Sequence, residues 1–352
     1  MKKIFVYMAS AALVFAASCN KIEEANTPVD TPAETELITV VLNPQTKTSL
    51  DDMSTVWTEK DAVSVTAGGE QIGTLTLVSG STFKGAIKAG LDGKTVVTLN
   101  YPAGVTEVPA EQKAVDGSFA NGAALLEGTT TVAKLRAKEG ATLANTTALL
   151  QFSVAQAGDV TFEVGTTKYT VTGCKTGETY YACVAPATAA FTARIDGYLS
   201  RKAAENVTFT ANKIANLGAL PAPEVCEWYL VGQHQGWDLN SSRVTPLYEV
   251  EDNLFVARNL NLSDTGFKLT QKNNTNWNNV FGSHSGSYKY TVGTDGWYTG
   301  LYTNNRGDKS NDIKLSNWSG PFDVYIRYVQ VADWGKELGF AIVKTGAAYP
   351  AY

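Results

Sequence analysis

Histidine is almost absent from this chain: His234 and His284 are the two it has, fifty residues apart. That spacing nearly excludes histidine-based catalytic triads and histidine metal clusters. Basic runs are also missing, and the net charge is −5, which argues against nucleic acid and against electrostatic binding to anionic lipid. Beyond the N-terminus no apolar run approaches 18 residues, so no transmembrane helix is expected. Cysteines number four, Cys19, Cys174, Cys183 and Cys226. The last three have no histidine neighbours and make a poor metal site. No phosphate-cradling glycine loop occurs; Thr66-Ala-Gly-Gly-Glu70 lacks the lysine and helix such a loop needs. A glycosidase needs two carboxylates a fixed distance apart, and no motif selects a pair from Asp238, Asp295 and Asp308. The chain is therefore expected to be non-catalytic and to carry no cofactor.

What is present is uneven. Six of the seven tryptophans (Trp228, Trp237, Trp277, Trp297, Trp318 and Trp334) follow residue 225, as do ten of the sixteen tyrosines. The middle of the chain is rich in Ala, Thr and Val instead. Two compositions are joined end to end, and the second suits a surface that stacks flat ligands.

The N-terminus reads as an address. Lys2 and Lys3 precede an apolar run from Ile4 to Ala17, and small residues lead to Cys19. This is a signal peptide in layout, too short to span a bilayer. The cysteine after the small residues resembles the lipobox of bacterial lipoproteins; an ordinary secretory signal with an incidental Cys19 is the alternative. The resemblance implies residues 1–18 as a signal peptide, lipidation of Cys19, and anchoring in the outer membrane of a Gram-negative bacterium, facing the cell surface. Residues 19–36 are Pro-, Thr- and Glu-rich, and read as a flexible tether. Glu23 and Glu24 fit either an acidic surface-export signal or a solvated linker.

The roughly 330 residues beyond Cys19 have room for two domains. Residues 37–220 show short β-branched runs between turn residues, such as Leu37–Leu42, Ala62–Thr66, Thr95–Leu99, Ala148–Val154 and Asp159–Val164. No sustained helical periodicity appears, and the spacing predicts a β-sandwich. Thr46-Lys-Thr-Ser-Leu50, Val56-Trp-Thr-Glu-Lys-Asp61, Ala144–Phe152 and Ala211–Gly218 together resemble the fimbrillin-type domain. The resemblance implies a transthyretin-like β-sandwich, in a family where some members polymerise by donating a strand. Long fimbrillins are matured by cutting after arginine. Here the first arginine is Arg136, deep inside the domain, so that route is not expected. Trp57 is expected in the core. Cys174 and Cys183 flank a turn-like octapeptide and can pair across a hairpin in an oxidising compartment, leaving Cys226 over.

Residues 225–352 read as a second β-sandwich. Strands are expected at Glu227–Gly232, Asn253–Arg258, Gly266–Leu269, Pro321–Tyr328 and Leu338–Val343, with polar loops at Gln233–Asp238 and Gln271–Trp277. The fold class is thus all-β, two β-sandwiches in tandem. The order Tyr-Leu-Val-Gly, Gly-Trp-Asp, Phe-Lys-Leu, Asn-Trp, Phe-Gly resembles the SusE/SusF-type carbohydrate-binding modules of starch-utilisation outer-membrane lipoproteins. Those carry several modules; this chain has one.

An indole matches the apolar face of a pyranose ring, with little side-chain entropy to lose, and nearby polar groups orient the hydroxyls. Trp237 and Trp277 sit in polar loops and are the leading contacts; exposure decides whether they bind or cap a core. Resemblance adds a basic residue, Lys268 with Lys272 as substitute. Trp297 is a further loop candidate. Trp228, Trp318 and Trp334 read as core or rim, and Arg306-Gly-Asp308 as a chance tripeptide. The implied partners are a polysaccharide or oligosaccharide of α-glucan type, a glycan importer and surface glycosidases. The alternative is a structural adhesin or fimbria-associated subunit built on the first domain.

Overall fold

The computed structural model describes residues 34–44, 57–115, 117, 123–240, 242–262, 266–277, 280–283, 289–299, 301–303, 311–316, 320–331 and 335–351. Cys19, Glu23, Glu24, His284, Asp308, Trp318 and Trp334 lie outside them, as does the tether to residue 33. The described chain is all-β, as the short alternating runs predict. Its one α-helical turn there, Val132–Arg136, is capped by the Thr131 hydroxyl accepting from Lys134 N. Among the described residues no helix is long and apolar enough to cross a membrane.

The first strands do not stack as two facing sheets. Seven of them, Thr35–Pro44, Thr82–Lys88, Glu70–Ser79, Ala62–Ala67, Val96–Tyr101, Leu126–Thr131 and Ala141–Asn145, close a barrel in that order. Closure comes from the first strand, which pairs antiparallel with Thr82–Lys88 through residues 35–41 and parallel with Ala141–Asn145 through Leu42–Pro44. Three strand glycines allow the tight curvature. A Cβ at Gly73 would lie 2.3 Å from Ala86 O, at Gly85 1.9 Å from Thr74 O, and at Gly128 2.3 Å from Thr142 O. Ile38, Val40 and Leu42 alternate inward to a core shared with Val63, Leu75, Phe83 and Leu99. Trp57 belongs to it, edge-on to Phe83 and Tyr101 at 5.0 and 5.1 Å, its indole N–H donating to Leu42 O at 3.0 Å.

Residues 148–220, joined by the short strand Glu111–Lys113, then form sheets over a separate core. A five-stranded sheet (Tyr198–Lys202, Phe191–Ile195, Gly158–Val164, Thr167–Cys174, Glu111–Lys113) and a three-stranded one (Thr179–Val184, Ala148–Val154, Ile214–Leu220) bury Phe152, Phe162, Tyr180 and Phe191. Gln112 stitches the two sheets: its amide donates to Cys183 O at 2.7 Å and accepts from Cys183 N at 2.9 Å. The hairpin across which Cys174 and Cys183 could pair is not formed. The strands carrying these cysteines lie in different sheets, and all three described thiols are free and buried. The turn between them joins layers and does not make a hairpin.

The C-terminal residues build an eight-stranded sheet in the order Leu301–Thr303, Phe281–Ser283, Phe267–Gln271, Val225–Gly232, Thr245–Glu251, Leu254–Leu260, Phe322–Val331, Gly335–Lys344. Each strand expected here from the sequence is found. The sheet curls round Trp228, Phe267, Tyr290, Phe322 and Phe340, and a Tyr298–Phe340 bridge ties one side to the other. It meets the middle sheets along a polar seam. Arg194 donates to Val250 O, Lys202 Nζ reaches Asp252 Oδ2 at 2.6 Å, and Tyr198 packs on Tyr248 at 4.9 Å.

Two predictions follow from these cores. Replacing Trp57 by alanine removes a buried indole at a cost of about 3–5 kcal/mol. The barrel's urea transition should move to lower concentration while that of the C-terminal sheet, with its own core, stays. Burial pushes the thiols up, to about 12 for Cys174 and Cys183 and about 11 for Cys226. Neutral buried thiols stabilise the fold fully below the ordinary value of 9, and that contribution is lost as pH rises through 11 to 12. All three should resist thiol reagents until the protein unfolds, and reductant should leave the melting temperature unchanged. A drop on reduction would restore the bridge.

Candidate ligand cleft between two tryptophans

The cleft begins where the central strand Val225–Gly232 ends. A Cβ at Gly232 would sit 2.6 Å from Gly266 O, so only a bare backbone passes the neighbouring strand there. A 3-10 turn, Gln233–Gln235, and a left-handed Gly236 reverse the chain. Trp237 follows with φ 57°, a conformation that costs a bulky residue on the order of 1–2 kcal/mol. Two bonds impose it. Trp237 N donates to Gly232 O at 2.9 Å, and the indole N–H donates to Gln233 Oε1 at 3.1 Å.

The rest of this wall is locked locally. Gln235 brackets Asp238, donating to its carbonyl at 2.7 Å and accepting its N–H at 2.8 Å. Asp238 Oδ1 accepts from Asn240 N at 2.9 Å, and Asn240 Oδ1 accepts from Ser242 N at 3.1 Å. Such side-chain turns let a polar loop keep one shape without a core of its own. Beneath, Leu239 anchors the loop among Tyr229, Val231, Val244 and Val280. His234 Nε2 lies 2.9 Å from Thr245 Oγ1, and its Nδ1 is buried with no partner.

The opposite wall is the Gln271–Trp277 loop. Asn273 is left-handed, Asn274 donates to Thr270 Oγ1 at 2.9 Å, and Asn276 N donates to Asn274 Oδ1 at 3.0 Å. Trp277 ends the loop 40% exposed. The two indole centroids are 6.2 Å apart with planes at 49°. At that separation the rings pack on each other, and together they line a cleft of about 820 Å³ whose walls add Asp238, Asn240, Arg243, Asn273 and Thr275. Arg243 Nη1 is 3.5 Å from Asp238 Oδ2, both well exposed, an ion pair worth about 0–1 kcal/mol to stability. Its value here is a set of fixed donors and acceptors facing an angled aromatic pair.

Of the expected contacts, Trp237 and Trp277 are brought together and the others are not. Lys268 is largely covered and has Asp312 Oδ1 at 3.6 Å. The cause is a Phe267–Ile313 bridge, which lays the Asp312 segment along the strand. Lys272 is exposed on the 271–277 loop but does not line the cleft. Trp297 is tied elsewhere: its indole N–H donates to Pro350 O at 2.9 Å and Arg327 covers its ring at 5.4 Å. Trp228 is core, bonded to the Tyr328 hydroxyl at 3.0 Å. Arg243, Asn240, Asn273 and Thr275 were not anticipated; the asparagine-rich loop and the Asp238-to-Arg243 spacing were the signals. Asp238 is the one carboxylate among the cleft's lining residues, whereas glycoside hydrolysis uses two. Asp295 is engaged away from it, accepting from Thr291 N at 2.7 Å.

No protein-family model matches this chain, and no curated protein does either. Among solved structures, a candidate cell-adhesion protein from Bacteroides ovatus is similar with a TM-score of 0.32 and 12% identity, over 53% of this chain and 92% of its own. Another, from Bacteroides uniformis, gives 0.30 and 16%, over 52% and 92%. A fimbrial protein from Bacteroides ovatus gives 0.29 and 12%, over 54% and 51%. Overlaps of this size assign no function to the chain.

Burial holds His234 below its ordinary value of 6.5. A depressed histidine stabilises its surroundings above that value, and the contribution is lost as pH falls through the folded value. Protection factors at residues 233–240, corrected for the intrinsic pH dependence of amide exchange, should therefore fall as pH drops below 6.5, and His234→Gln should remove that fall.

Proposed function

We propose that this is a non-catalytic cell-surface binding protein of the adhesion class, which holds carbohydrate in the cleft between Trp237 and Trp277. The observation that carries the reading is the angled indole pair lining the cleft, Trp277 exposed and Trp237 half-buried in a strained backbone conformation. Strain of that kind persists where surrounding bonds over-determine it, and it concentrates at binding sites. Two indoles at 49° offer stacking faces to successive rings of a bent chain, while Asn240, Arg243, Asn273 and Thr275 offer donors and acceptors to hydroxyls. Flat ligand faces and a few placed polar groups are what such sites use.

Adhesion is the class of the similar solved structures, and it is the broader reading. Capture of an α-glucan for an importer and surface glycosidases is the narrower one, resting on the sequence resemblance of residues 225–352 alone. In both, the Cys19 lipid would hold the chain to the outer membrane. A purely structural, fimbria-associated subunit is the second reading, resting on the fimbrillin-type resemblance of residues 37–220; it requires ordered higher-order species and no glycan affinity.

Affinity per cleft should be weak, on the order of 1 mM or about −4 kcal/mol, because stacking on a solvated sugar gains little after polar groups lose water. A glycan array followed by isothermal titration of the full-length chain should find one ligand class. Trp237→Ala and Trp277→Ala should each weaken it at least tenfold. Trp237→Asn is the sharper variant, because asparagine tolerates the left-handed backbone. It should abolish binding while keeping or raising the melting temperature. A large drop in melting temperature, or unchanged affinity in the alanine variants, would make the pair structural and leave the fimbrial reading.

A further inference from the structure

The seam between the middle and C-terminal sheets encloses a second hollow, of about 560 Å³. That lies within the usual range for ligand sites, ~300–1,000 Å³. One wall is the outer face of the middle sheet. There the Thr161 and Thr170 hydroxyls lie 3.2 Å apart, and Glu163 sits between Lys168 at 2.9 Å and Arg194 at 3.3 Å. The other wall is tyrosine: Tyr349 packs on Tyr325 at 5.1 Å and donates to Glu251 Oε1 at 2.8 Å.

Arg258 closes the hollow. Its guanidinium lies over the Tyr198 ring at 4.9 Å, and among the described residues it has one hydrogen-bond acceptor, Gly197 O at 3.4 Å. Gly197 is left-handed at φ 78°, and a Cβ there would strike Arg258 Nη1 at 2.7 Å. The bare glycine leaves room for the guanidinium to lie flat, with most of its donors uncommitted. Lys168 and Arg194 both pair with Glu163, whereas Arg258 has no carboxylate within salt-bridge distance among the described residues.

We propose that this hollow is a second ligand site, taking the carboxylate of an acidic sugar on Arg258 with Tyr349 beside the ring. A guanidinium suits a carboxylate because its planar fork can make two parallel hydrogen bonds. A hydroxyl-lined wall and a tyrosine face suit a sugar over a purely apolar acid. The site is separate from the tryptophan cleft. Strand Thr245–Glu251 runs from one to the other, with seven residues spanning roughly 20 Å.

The test titrates the full-length chain, in detergent, with oligogalacturonate and with a neutral galacto-oligosaccharide of equal length. Saturable binding of the acid, at least tenfold tighter than the neutral sugar and weakened by salt, is expected. Arg258→Gln should reduce it at least tenfold, and Trp237→Ala with Trp277→Ala should leave it unchanged, so that failure of either cleft is read separately. Should Arg258→Gln lower the melting temperature, Lys168→Gln decides: its ammonium is exposed, and a several-fold loss is expected. No saturable binding, wild-type affinity in a folded Arg258→Gln, or loss confined to the tryptophan variants would overturn the proposal.

Discussion

The hydrogen bond from Trp237 N to Gly232 O sets the geometry on which the candidate site depends. It closes a six-residue reversal at the end of the most central C-terminal strand, so the indole inherits the position of a strand held on both sides. Ordering a mobile side chain on binding costs entropy, a small amount for an indole and smaller still when it is already held. Here the cost is met at folding, by the Gln233 amide on the indole N–H and by the left-handed backbone beneath it. A ligand then meets a surface already in place, which is the principal way weak polar-aromatic contacts become useful.

How much of this is legible in the sequence depends on the range of the contact involved. The C-terminal strands are legible because their alternation is local: Phe267 and Leu269 point to the core and Lys268 away from it. The tryptophan pair is legible because both residues sit between turn-forming neighbours. Lys268 misleads because its covering segment, around Asp312, arrives from more than forty residues away through an isolated bridge. Trp297 misleads in the same way, since its partner is the carbonyl of Pro350. The barrel is hidden for a different reason. Gly73, Gly85 and Gly128 look like turn residues in a linear reading, yet they lie inside strands and remove the Cβ atoms that would block curvature. Cys174 and Cys183 carry the right spacing for a hairpin, but spacing does not say whether two strands share a sheet.

The seam gives the C-terminal unit its orientation. Arg194 reaches from the middle sheet to Val250 at the end of strand Thr245–Glu251 and Lys202 to Asp252 in the turn after it, and the tryptophan cleft lies beyond that strand's other end. Buried Asp323 fixes the tail on the same side as the seam: it accepts from Asn259 N and from the Thr345 hydroxyl, each at 2.9 Å. That anchor brings Tyr349 over Glu251 and Pro350 to Trp297, so the last residues of the chain complete the seam's aromatic wall.

Placing clefts at both ends of one short strand has a consequence for how such a surface works. Each cleft alone offers few contacts, and each is open to water, which screens its charges and competes for its hydrogen bonds. Two sites roughly 20 Å apart on a rigid sheet turn a second weak contact into an intramolecular one for any chain long enough to reach. The gain requires that the seam hold its angle, because a hinge there would spread the effective concentration over many geometries. On the proposed reading the polar staples across the seam bear on binding as well as on stability: they would decide whether the two clefts act separately or on the same polymer.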